Sequence, residues 1–409
     1  MVCGPFKTRD EPEYIIEKVV YIEREPKKSN QQRKKARAIY AASLDPIHLG
    51  HVDIITRAAR TFDGLEVAVG INVEKKYTFT LEERVEMTRQ ALSRLPNVQV
   101  TSFKGLLVRY ASERGIGTIV KGVRNAEDFR VESLFHVAGD SQHLGIETAL
   151  LIARPELSHV SSSVVKVLQA DHGDIHEYVP LVIKQRLEER MSGQYIVGIT
   201  GETGSGKSYV GERFVALGKE RGIEVHNIEL DNIGHQILGG SAKYEEIREA
   251  VIKEFGKGVK KFNGNISRKA LGELVFSDRR RLQRLNELIH KPILSELQQT
   301  LYGKRGLVLI NGALIAETGT SYLSNNNVVL VKTDYDERVA RLRSKGLGQR
   351  QIDSISQAQY SFEEKQRILQ EERDKYNYGT IWVVNNTQEQ SAKAISDVFY
   401  KIVNTLGVK

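Results

Sequence analysis

Short apolar runs alternate with segments of helical periodicity over most of this 409-residue chain. In the first part of the chain, the runs predict strands over residues 37–42, 65–72, 98–101, 118–121 and 148–153. Between two of them, Thr80 and Glu83 have the spacing of a capping box at a helix start. Strands that alternate with helices are typical of a parallel sheet, whose ligands lie at the carboxyl ends of the strands.

The same alternation resumes after Ser192 and Gly193, which end a helix predicted over residues 181–190. It predicts further strands over residues 195–200, 224–230, 306–311, 328–332 and 380–384. The two parts share no motif, so the chain has no internal repeat. We therefore predict two α/β domains with parallel sheets: a Rossmann-like domain over residues 37–192 and a second domain over residues 193–409.

Residues 1–36 differ from the rest and are interpreted as an N-terminal extension. Residues 14–22 predict a short strand, and residues 27–35 form a basic run without an apolar face. Such a run is typical of a solvated linker, with a docking arm as the alternative.

Composition narrows the class of protein. Hydrophobic residues make up 40% and charged residues 27%, as in ordinary globular domains. No apolar run approaches the roughly 20 residues that span a bilayer, so we expect no membrane partner. The single cysteine, Cys3, excludes an intrachain disulfide and a cysteine-based metal site. With no signal-peptide pattern at the N-terminus, we expect a cytoplasmic protein.

The formal net charge of +8 is compatible with several kinds of anionic partner. The bases do not form one long basic face, and several of them recur in loops beside glycines. This distribution favours small phosphorylated ligands, with nucleic acid as a lower-ranked alternative. A homo-oligomer is compatible with the composition.

A phosphate-binding loop is predicted where the second domain begins. Residues 201–208 fit the pattern G-x-x-x-x-G-K-[ST], follow an apolar strand and open a helix. The glycines let backbone N–H groups, with those of the helix start, surround phosphate oxygens, while the lysine reaches the β- and γ-phosphates. The last hydroxyl is a magnesium ligand. The pattern predicts that ATP and Mg²⁺ are bound by Gly201, Gly204, Ser205, Gly206, Lys207 and Ser208. A glycine-rich turn with an incidental lysine is the alternative.

Asp231 follows the next predicted strand, where a carboxylate can accept a proton from an acceptor hydroxyl. A helix cap is the alternative for this residue. From here the chain resembles dephospho-CoA kinases over about residues 195–390. The resemblance is carried by Gly198-Ile199-Thr200-Gly201, Glu229-Leu230-Asp231, Phe255-Gly256, Ile266-Ser267-Arg268-Lys269-Ala270-Leu271, Val275-Phe276, Leu288-Ile289-His290-Lys291-Pro292-Ile293, Gln357-Ala358-Gln359 and Glu364-Lys365.

The resemblance implies that Asp231 is the base for a ribose 3′-hydroxyl and that Arg268 and His290 hold the CoA precursor. A helix-end histidine is the alternative for His290. The Arg-Asp pair of the family's lid has no counterpart here. We assign ATP binding in the lid to Arg343, with Arg341 and Lys345 as other candidates.

A histidine pair lies between a strand and a helix in the first part, as His48-x-Gly50-His51. Nucleotidyl transfer adds negative charge to an α-phosphate, and imidazoles at a helix N-terminus can donate hydrogen bonds to its oxygens. Positioning and charge stabilisation would then suffice without a covalent intermediate. Metal binding and two structural histidines are the alternatives.

Other anion-binding groups are predicted at strand-to-helix turns of the same domain. They are Lys75-Lys76, Lys121-Gly122-Val123-Arg124 and the serines Ser161-Ser162-Ser163, which can cap a helix and offer donors to phosphate. Solvated loop charges are the alternative for each basic pair. Their recurrence at three such turns favours a phosphate site.

Residues 37–190 closely resemble bacterial phosphopantetheine adenylyltransferases. The resemblance is carried by Ala38-Ile39-Tyr40, Asp45-Pro46-Ile47, His51-Val52-Asp53-Ile54-Ile55, Thr80-Leu81-Glu82-Glu83-Arg84-Val85, Asp128-Phe129, Glu132 and the triple serine. It implies that His51, beside His48, stabilises the transferring α-phosphate. It also implies an acceptor site at Ser43, Lys75 and Leu107, with Lys75 at the reacting centre. ATP would be held by Ser43, Lys121, Gly122, Arg124, Glu132 and Ser161–Ser163.

The two resemblances imply consecutive steps of coenzyme A synthesis in one chain, with 4′-phosphopantetheine and dephospho-CoA as substrates. A nicotinamide mononucleotide adenylyltransferase joined to a ribosylnicotinamide kinase is one alternative. The other is an active kinase with an inactive, regulatory first domain, motivated by departures from the family at Ala42, Val131 and Gly139.

Overall fold

The computed structural model describes residues 36–72, 75–275, 278–387 and 391–408. The strand predicted over residues 14–22 lies outside this part of the chain. We call residues 36–192 the first half and residues 193–408 the second half. The predicted domain limits themselves stay predictions.

The first half contains a five-stranded parallel sheet of order β3-β2-β1-β4-β5. A single π-helical turn, Glu188–Ser192, follows its last helix and ends at Gly193 in the left-handed conformation. The elements of the first half are β1 (Arg37–Ala42), α1 (Leu49–Thr61), β2 (Gly64–Gly70), α2 (Leu81–Ala91), β3 (Val98–Phe103), α3 (Leu107–Glu113), β4 (Thr118–Val123), α4 (Ala126–Asp140), β5 (Glu147–Ile152), α5 (Ser162–Ala170) and α6 (Leu181–Leu187).

β1 lies at the centre of the first sheet because its apolar side chains have helices on both faces to pack against. Tyr40 belongs to the core cluster on the α1 side, and Ile39 belongs to the cluster on the α3 side. The predicted capping box is present at α2: Thr80 Oγ1 accepts from the backbone N–H of Glu83, whose carboxylate accepts from that of Thr80.

The second half contains another five-stranded parallel sheet, of order β10-β9-β6-β8-β7. No helix in the described part of the chain has the length and apolar character that a membrane crossing requires. The elements are β6 (Gln194–Thr200), α7 (Lys207–Arg221), β7 (Val225–Glu229), α8 (Leu230–Leu238), α9 (Glu245–Phe255), α10 (Arg268–Val275), α11 (Arg279–Leu301), β8 (Gly306–Asn311), β9 (Val328–Lys332), α12 (Tyr335–Ser344), α13 (Gln349–Ala358), α14 (Phe362–Tyr376), β10 (Ile381–Asn385) and α15 (Ser391–Leu406).

The two halves meet through buried polar side chains at the amino end of β9. Lys184 Nζ donates to Glu188 Oε1 (2.6 Å) and to Asn325 Oδ1 (3.2 Å), and Asn325 Nδ2 donates to Glu188 Oε2 (2.6 Å). Asn327 Nδ2 donates to Gln185 Oε1 at 2.8 Å. Buried charges that are paired in this way are costly to separate, so the contact fixes α6 against the second sheet.

The predicted class, two α/β units with parallel sheets, is confirmed. Every predicted strand after residue 36 is present, with ends that differ by one or two residues for most of them. Both motifs predicted to be catalytic lie where such folds place ligands: the histidine pair follows β1, and the glycine-rich loop follows β6.

Candidate functional sites

The first site is built on the turn between β1 and α1. Asp45 is buried in this turn, and its carboxylate accepts hydrogen bonds from the backbone N–H groups of Thr78 and Phe79, both at 3.0 Å. Lys166 Nζ of α5 donates to the same carboxylate at 3.0 Å. The turn is therefore tied to the loop before α2 and to α5, which holds the start of α1 in place.

The two predicted histidines lie together at the start of α1. Their rings are stacked with centroids 3.6 Å apart, and the backbone N–H of His48 donates to His51 Nδ1 at 3.3 Å. Because Nδ1 accepts a hydrogen bond, the proton of a neutral His51 ring belongs on Nε2. The ring therefore presents Nε2–H as its donor for a ligand.

Burial keeps both imidazoles neutral. Burial, with a smaller effect of the nearby Arg124 guanidinium, lowers the pKa of His48 to about 3. Burial, then His48 and then Arg124, hold the pKa of His51 well below its ordinary value. At neutral pH the pair therefore acts through hydrogen bonds rather than through positive charge.

These shifts predict that the first half loses stability in acid. The folded pKa of His48 lies below the unfolded value of 6.5, so its contribution is complete above pH 6.5 and is lost as the pH falls towards 3. At pH 5, protonation of His48 should lower the free energy of unfolding by about 2 kcal/mol, at about 1.4 kcal/mol per pH unit. We expect His48→Gln to remove this loss, measured by hydrogen exchange of β1 and β2 amides at pH 7 and pH 5.

The fluorescence of Trp382, the only tryptophan of the chain, reports on the second half and serves as the control. By this fluorescence, the second half should unfold identically in the His48→Gln variant and in the unmodified protein. If the first half lost equal stability between pH 7 and pH 5 in the variant and in the unmodified protein, the assignment to His48 would be contradicted.

Basic and acidic side chains approach the histidines from the end of β4 and from α4. Lys121 Nζ lies 3.4 Å from Glu132, and Arg124 Nε lies 2.8 Å from Asp128. Burial, with a smaller effect of Glu132, raises the pKa of Tyr40. The predicted ATP residues Lys121, Arg124 and Glu132 therefore lie in one neighbourhood with the histidines.

Close packing against α1 explains why a glycine occupies position 122. A Cβ on Gly122 would lie 2.9 Å from Ile54 Cγ1 of α1. The residue therefore lets β4 approach α1 closely, which keeps Lys121 and Arg124 near the start of that helix.

The three serines lie at the start of α5. Ser161 Oγ accepts from the backbone N–H of Val164 at 3.2 Å, so the predicted capping role is present. Ser162 Oγ donates to the carbonyl of Pro46 at 2.9 Å, and Ser163 is exposed. The start of α5 is thus fastened to the β1–α1 turn, although contacts of the serines with ATP stay a prediction.

The predicted acceptor residues lie along the same edge of the sheet. Ser43 follows β1, Lys75 is exposed on the loop after β2, and Leu107 begins α3 after β3. Since the carboxyl ends of parallel strands share one edge, these three residues lie along the part of that edge formed by β1, β2 and β3. Their contacts with a substrate stay predictions.

Arg84, for which no role was predicted, lies beneath this edge of the sheet. Its side chain is almost fully buried, and Nη1 donates to the carbonyls of Ser43 and Gly70. The guanidinium also lies 3.9 Å from the ring centroid of Tyr77. Arg84 therefore joins the ends of β1 and β2. The available signal was helical phase, because Arg84 shares the buried face of α2 with Met87 and Thr88.

The second site is the loop between β6 and α7. Gly204 and Gly206 have φ values of +86° and +89°, which favour glycine. A Cβ on Gly206 would lie 2.1 Å from Asn386 Nδ2, so no side chain fits there. The loop therefore has the conformation and close packing that the phosphate-binding pattern predicts.

Lys207 spans this loop. Its Nζ donates to the carbonyls of Gly201 and Glu202, both at 3.1 Å. Burial lowers its pKa to about 8, against the opposing effect of the Asp231 carboxylate. The ammonium is held above the loop, within electrostatic range of Asp231.

Asp231 is exposed in the first turn of α8, and Glu229 occupies the cap position of that helix. The alternative interpretation of Asp231 as a helix cap is therefore wrong. Burial lowers the pKa of His235, and among the nearby charges Arg268 lowers it while Asp231 raises it. Asp231 and Arg268 therefore both lie within electrostatic range of His235.

His290 lies half-buried within α11, which continues to Leu301. The alternative of a helix-end histidine is therefore wrong, because the helix continues through Pro292. A contact of His290 with the CoA precursor stays a prediction.

The structure places a different arginine at the loop from the one assigned from the sequence. Arg343 is exposed, and its Nη2 donates to Gln349 Oε1 at 2.6 Å. Arg341 Nη1 instead donates to the Ser205 carbonyl at 3.2 Å. ATP binding by Arg343 stays a prediction, whereas Arg341 contacts the phosphate loop directly.

Two further side chains support the loop. Arg338 pairs with the Glu202 carboxylate, and its Nε donates to the Thr203 carbonyl at 3.3 Å. Gln359 Oε1 accepts from the Thr203 N–H at 2.9 Å. Gln359 belongs to a motif quoted above, but the sequence did not indicate this contact.

Magnesium fits the second site only as an ion held mostly by nucleotide phosphates and water. Ser208 is exposed at the first turn of α7 and can supply a hydroxyl oxygen. Within the described ranges, no cluster of three His, Cys, Asp or Glu side chains could hold a metal. This donor set suits Mg²⁺, which keeps several waters and binds through substrate phosphates.

The fold and the two sites define a nucleotidyl-transfer domain followed by a P-loop kinase domain. A family model described as cytidylyltransferase-like matches residues 39–167, and one described as dephospho-CoA kinase matches residues 195–389. The phosphopantetheine adenylyltransferase of Heliobacterium modesticaldum is 40% identical over 153 residues, which are 37% of this chain and 91% of that protein. Through its first half, this chain belongs to the phosphopantetheine adenylyltransferase family.

Two solved structures are more distant. TT1252 from Thermus thermophilus is 26% identical over 52% of this chain and 98% of that chain, with a TM-score of 0.39. The NadR protein in complex with NAD and AMP-PNP is 14% identical over 92% of this chain and 97% of that chain, with a TM-score of 0.31. The sequence matches confirm the two predicted enzyme classes, an adenylyltransferase and a dephospho-CoA kinase.

Proposed function

We propose that the chain catalyses two consecutive reactions. In the first, ATP transfers its adenylyl group to 4′-phosphopantetheine, giving dephospho-CoA and pyrophosphate. In the second, another ATP phosphorylates the ribose 3′-hydroxyl of dephospho-CoA, giving CoA and ADP. The observation that carries this proposal is that the two halves of one polypeptide, each with its own predicted phosphate site, match these two families.

The first reaction uses the acceptor's phosphate as nucleophile and the α-phosphorus of ATP as electrophile. We assign to His51 Nε2–H a hydrogen bond that strengthens as negative charge grows on the α-phosphate oxygens. Its Nδ1 bond to the His48 backbone keeps this donor in one orientation. Lys121 and Arg124 would bind the ATP phosphates, and Lys75 and Ser43 would orient the acceptor.

The second reaction transfers the γ-phosphoryl group to a hydroxyl. The loop N–H groups and Lys207 would hold the β- and γ-phosphates, and Mg²⁺ bound at Ser208 would supply charge neutralisation. Asp231 would accept the hydroxyl proton, because it is exposed within electrostatic range of Lys207. Arg268 and His290 would position dephospho-CoA. A cytoplasmic location remains part of this proposal.

One product assay tests the whole proposal. Purified protein with magnesium, ATP and 4′-phosphopantetheine should yield pyrophosphate, ADP and CoA in equal amounts, resolved by mass spectrometry, with two ATP consumed per CoA. Dephospho-CoA alone should consume one ATP and yield no pyrophosphate.

The alternatives give different products. An inactive first half would convert dephospho-CoA to CoA but leave 4′-phosphopantetheine unchanged. Turnover of nicotinamide mononucleotide with ATP, without turnover of 4′-phosphopantetheine, would contradict the proposed acceptor.

A further inference from the structure

One carbonyl oxygen of the phosphate loop receives hydrogen bonds from three side chains. The Ser205 carbonyl accepts from Thr333 Oγ1 and Asn386 Nδ2, both at 2.8 Å, and from Arg341 Nη1 at 3.2 Å. A carbonyl oxygen has two lone pairs, so three donors saturate it. We call Thr333, Asn386 and Arg341 the Ser205 clamp.

The clamp joins three elements that are distant in sequence. Thr333 follows β9, Asn386 follows β10 and Arg341 lies within α12. Thr333 and Asn386 are buried, and Arg341 Nη2 donates to the Asn386 carbonyl at 2.9 Å. A buried network whose members also bond one another holds a fixed geometry.

The clamp determines where the next N–H group points. In a trans peptide the C=O and the following N–H lie on opposite sides of the chain. Holding the Ser205 carbonyl towards β9, β10 and α12 therefore turns the Gly206 N–H away from them. Asn386 Nδ2 also occupies the space beside the Gly206 Cα, where a Cβ would lie at 2.1 Å. The hydrogen bonds to the Ser205 carbonyl and the close approach of Asn386 to Gly206 therefore both fix the orientation of the peptide between these residues.

We infer that the Ser205 clamp is a positioning device for phosphoryl transfer, which aims the Gly206 N–H at the phosphates of ATP. This inference rests on the proposed kinase function of the second half. Thr333, Asn386 and Arg341 act through the loop backbone and are therefore positioning residues.

The clamp makes a selective kinetic prediction. Thr333→Val removes one donor while keeping the side-chain shape, and Thr333→Ser keeps the donor. We expect Thr333→Val to lower kcat/KM for ATP in the second reaction about tenfold, the effect of losing one neutral hydrogen bond. Thr333→Ser should stay within about twofold of the unmodified protein, and the KM for dephospho-CoA should be unchanged in both. Steady-state kinetics with varied ATP and varied dephospho-CoA measure these values.

A second variant and a matched control separate positioning from general damage. Asn386→Leu should lower kcat/KM for ATP by about tenfold or more, and the double variant should lose less than the product of the two losses, because both donors share one acceptor. Thr320→Val is the control: this buried threonine bonds Thr318 and the Ile315 carbonyl, and it has no contact with the clamp among the described residues. Its kinase kinetics should stay unchanged.

Hydrogen exchange provides a readout that does not depend on turnover. In the unmodified protein, ATP should slow exchange in fragments covering residues 201–208, and Thr333→Val should weaken that protection. Unmodified protection and kinetics in Thr333→Val would overturn the inference. So would equal impairment of Thr333→Ser, or a parallel rise in the KM for dephospho-CoA. If dephospho-CoA is not a substrate at all, the proposed function fails while the exchange experiment still tests the clamp.

Discussion

Lys207→Ala should stop the reaction sequence at dephospho-CoA. The second step should slow by about 100- to 1,000-fold, the usual effect of removing a preorganised group that stabilises transition-state charge. The loss is expected because the Gly201 and Glu202 carbonyls hold the ammonium at the phosphate loop, within electrostatic range of Asp231. With ATP and 4′-phosphopantetheine as substrates, mass spectrometry should show dephospho-CoA and pyrophosphate accumulating together, with almost no ADP.

Lys219→Ala is the matched control, since this lysine is exposed in the last turn of the same helix. It should form CoA at the normal rate. Pyrophosphate release by Lys207→Ala also reports whether the first half remains folded and active. Normal CoA formation by Lys207→Ala would show that phosphoryl transfer does not depend on this loop.

Much of the fold could be predicted because burial leaves a local trace in the sequence. The central strands β1 and β6 are buried on both faces and read as apolar runs. The phosphate loop could also be predicted, because its glycines, lysine and serine are consecutive and follow such a strand. In both cases one segment of chain contains the whole signal.

Residues that support a site from a distance could not be predicted in this way. Thr333 and Asn386 follow different strands, and they meet Ser205 only because β9, β10 and β6 end at one edge of the sheet. No local pattern distinguishes such residues from other polar residues at strand ends. Their role depends on the sheet order, which no local pattern in the sequence indicates.

The lid arginine is an intermediate case, because a local signal was present. Arg341 and Arg343 are two residues apart on α12, and a helix advances about 100° per residue, so they face nearly opposite directions. Arg338 and Leu342 mark the buried face of this helix, and Arg341 lies beside it. Helical phase therefore favours Arg341 as the residue that contacts the phosphate loop.

His51→Ala should almost abolish adenylyl transfer at the first site. The rate of adenylyl transfer should fall by about 100- to 1,000-fold, because a donor aimed at the developing charge is removed. The loss should be similar at pH 6 and pH 8, since burial holds the pKa of His51 well below its ordinary value and favours the neutral ring. Pyrophosphate release with 4′-phosphopantetheine and ATP measures the effect.

The second half supplies the internal control for this variant, because added dephospho-CoA should still be converted to CoA at the unmodified rate. His143→Asn is the matched substitution: His143 is an exposed histidine with a φ of +56°, a conformation that asparagine tolerates, and adenylyl transfer should be unchanged. A rate in His51→Ala within about threefold of the unmodified protein would exclude the expected loss of transition-state stabilisation. A loss that grew steeply between pH 8 and pH 6 would instead indicate a charged imidazole, contrary to the burial of the pair.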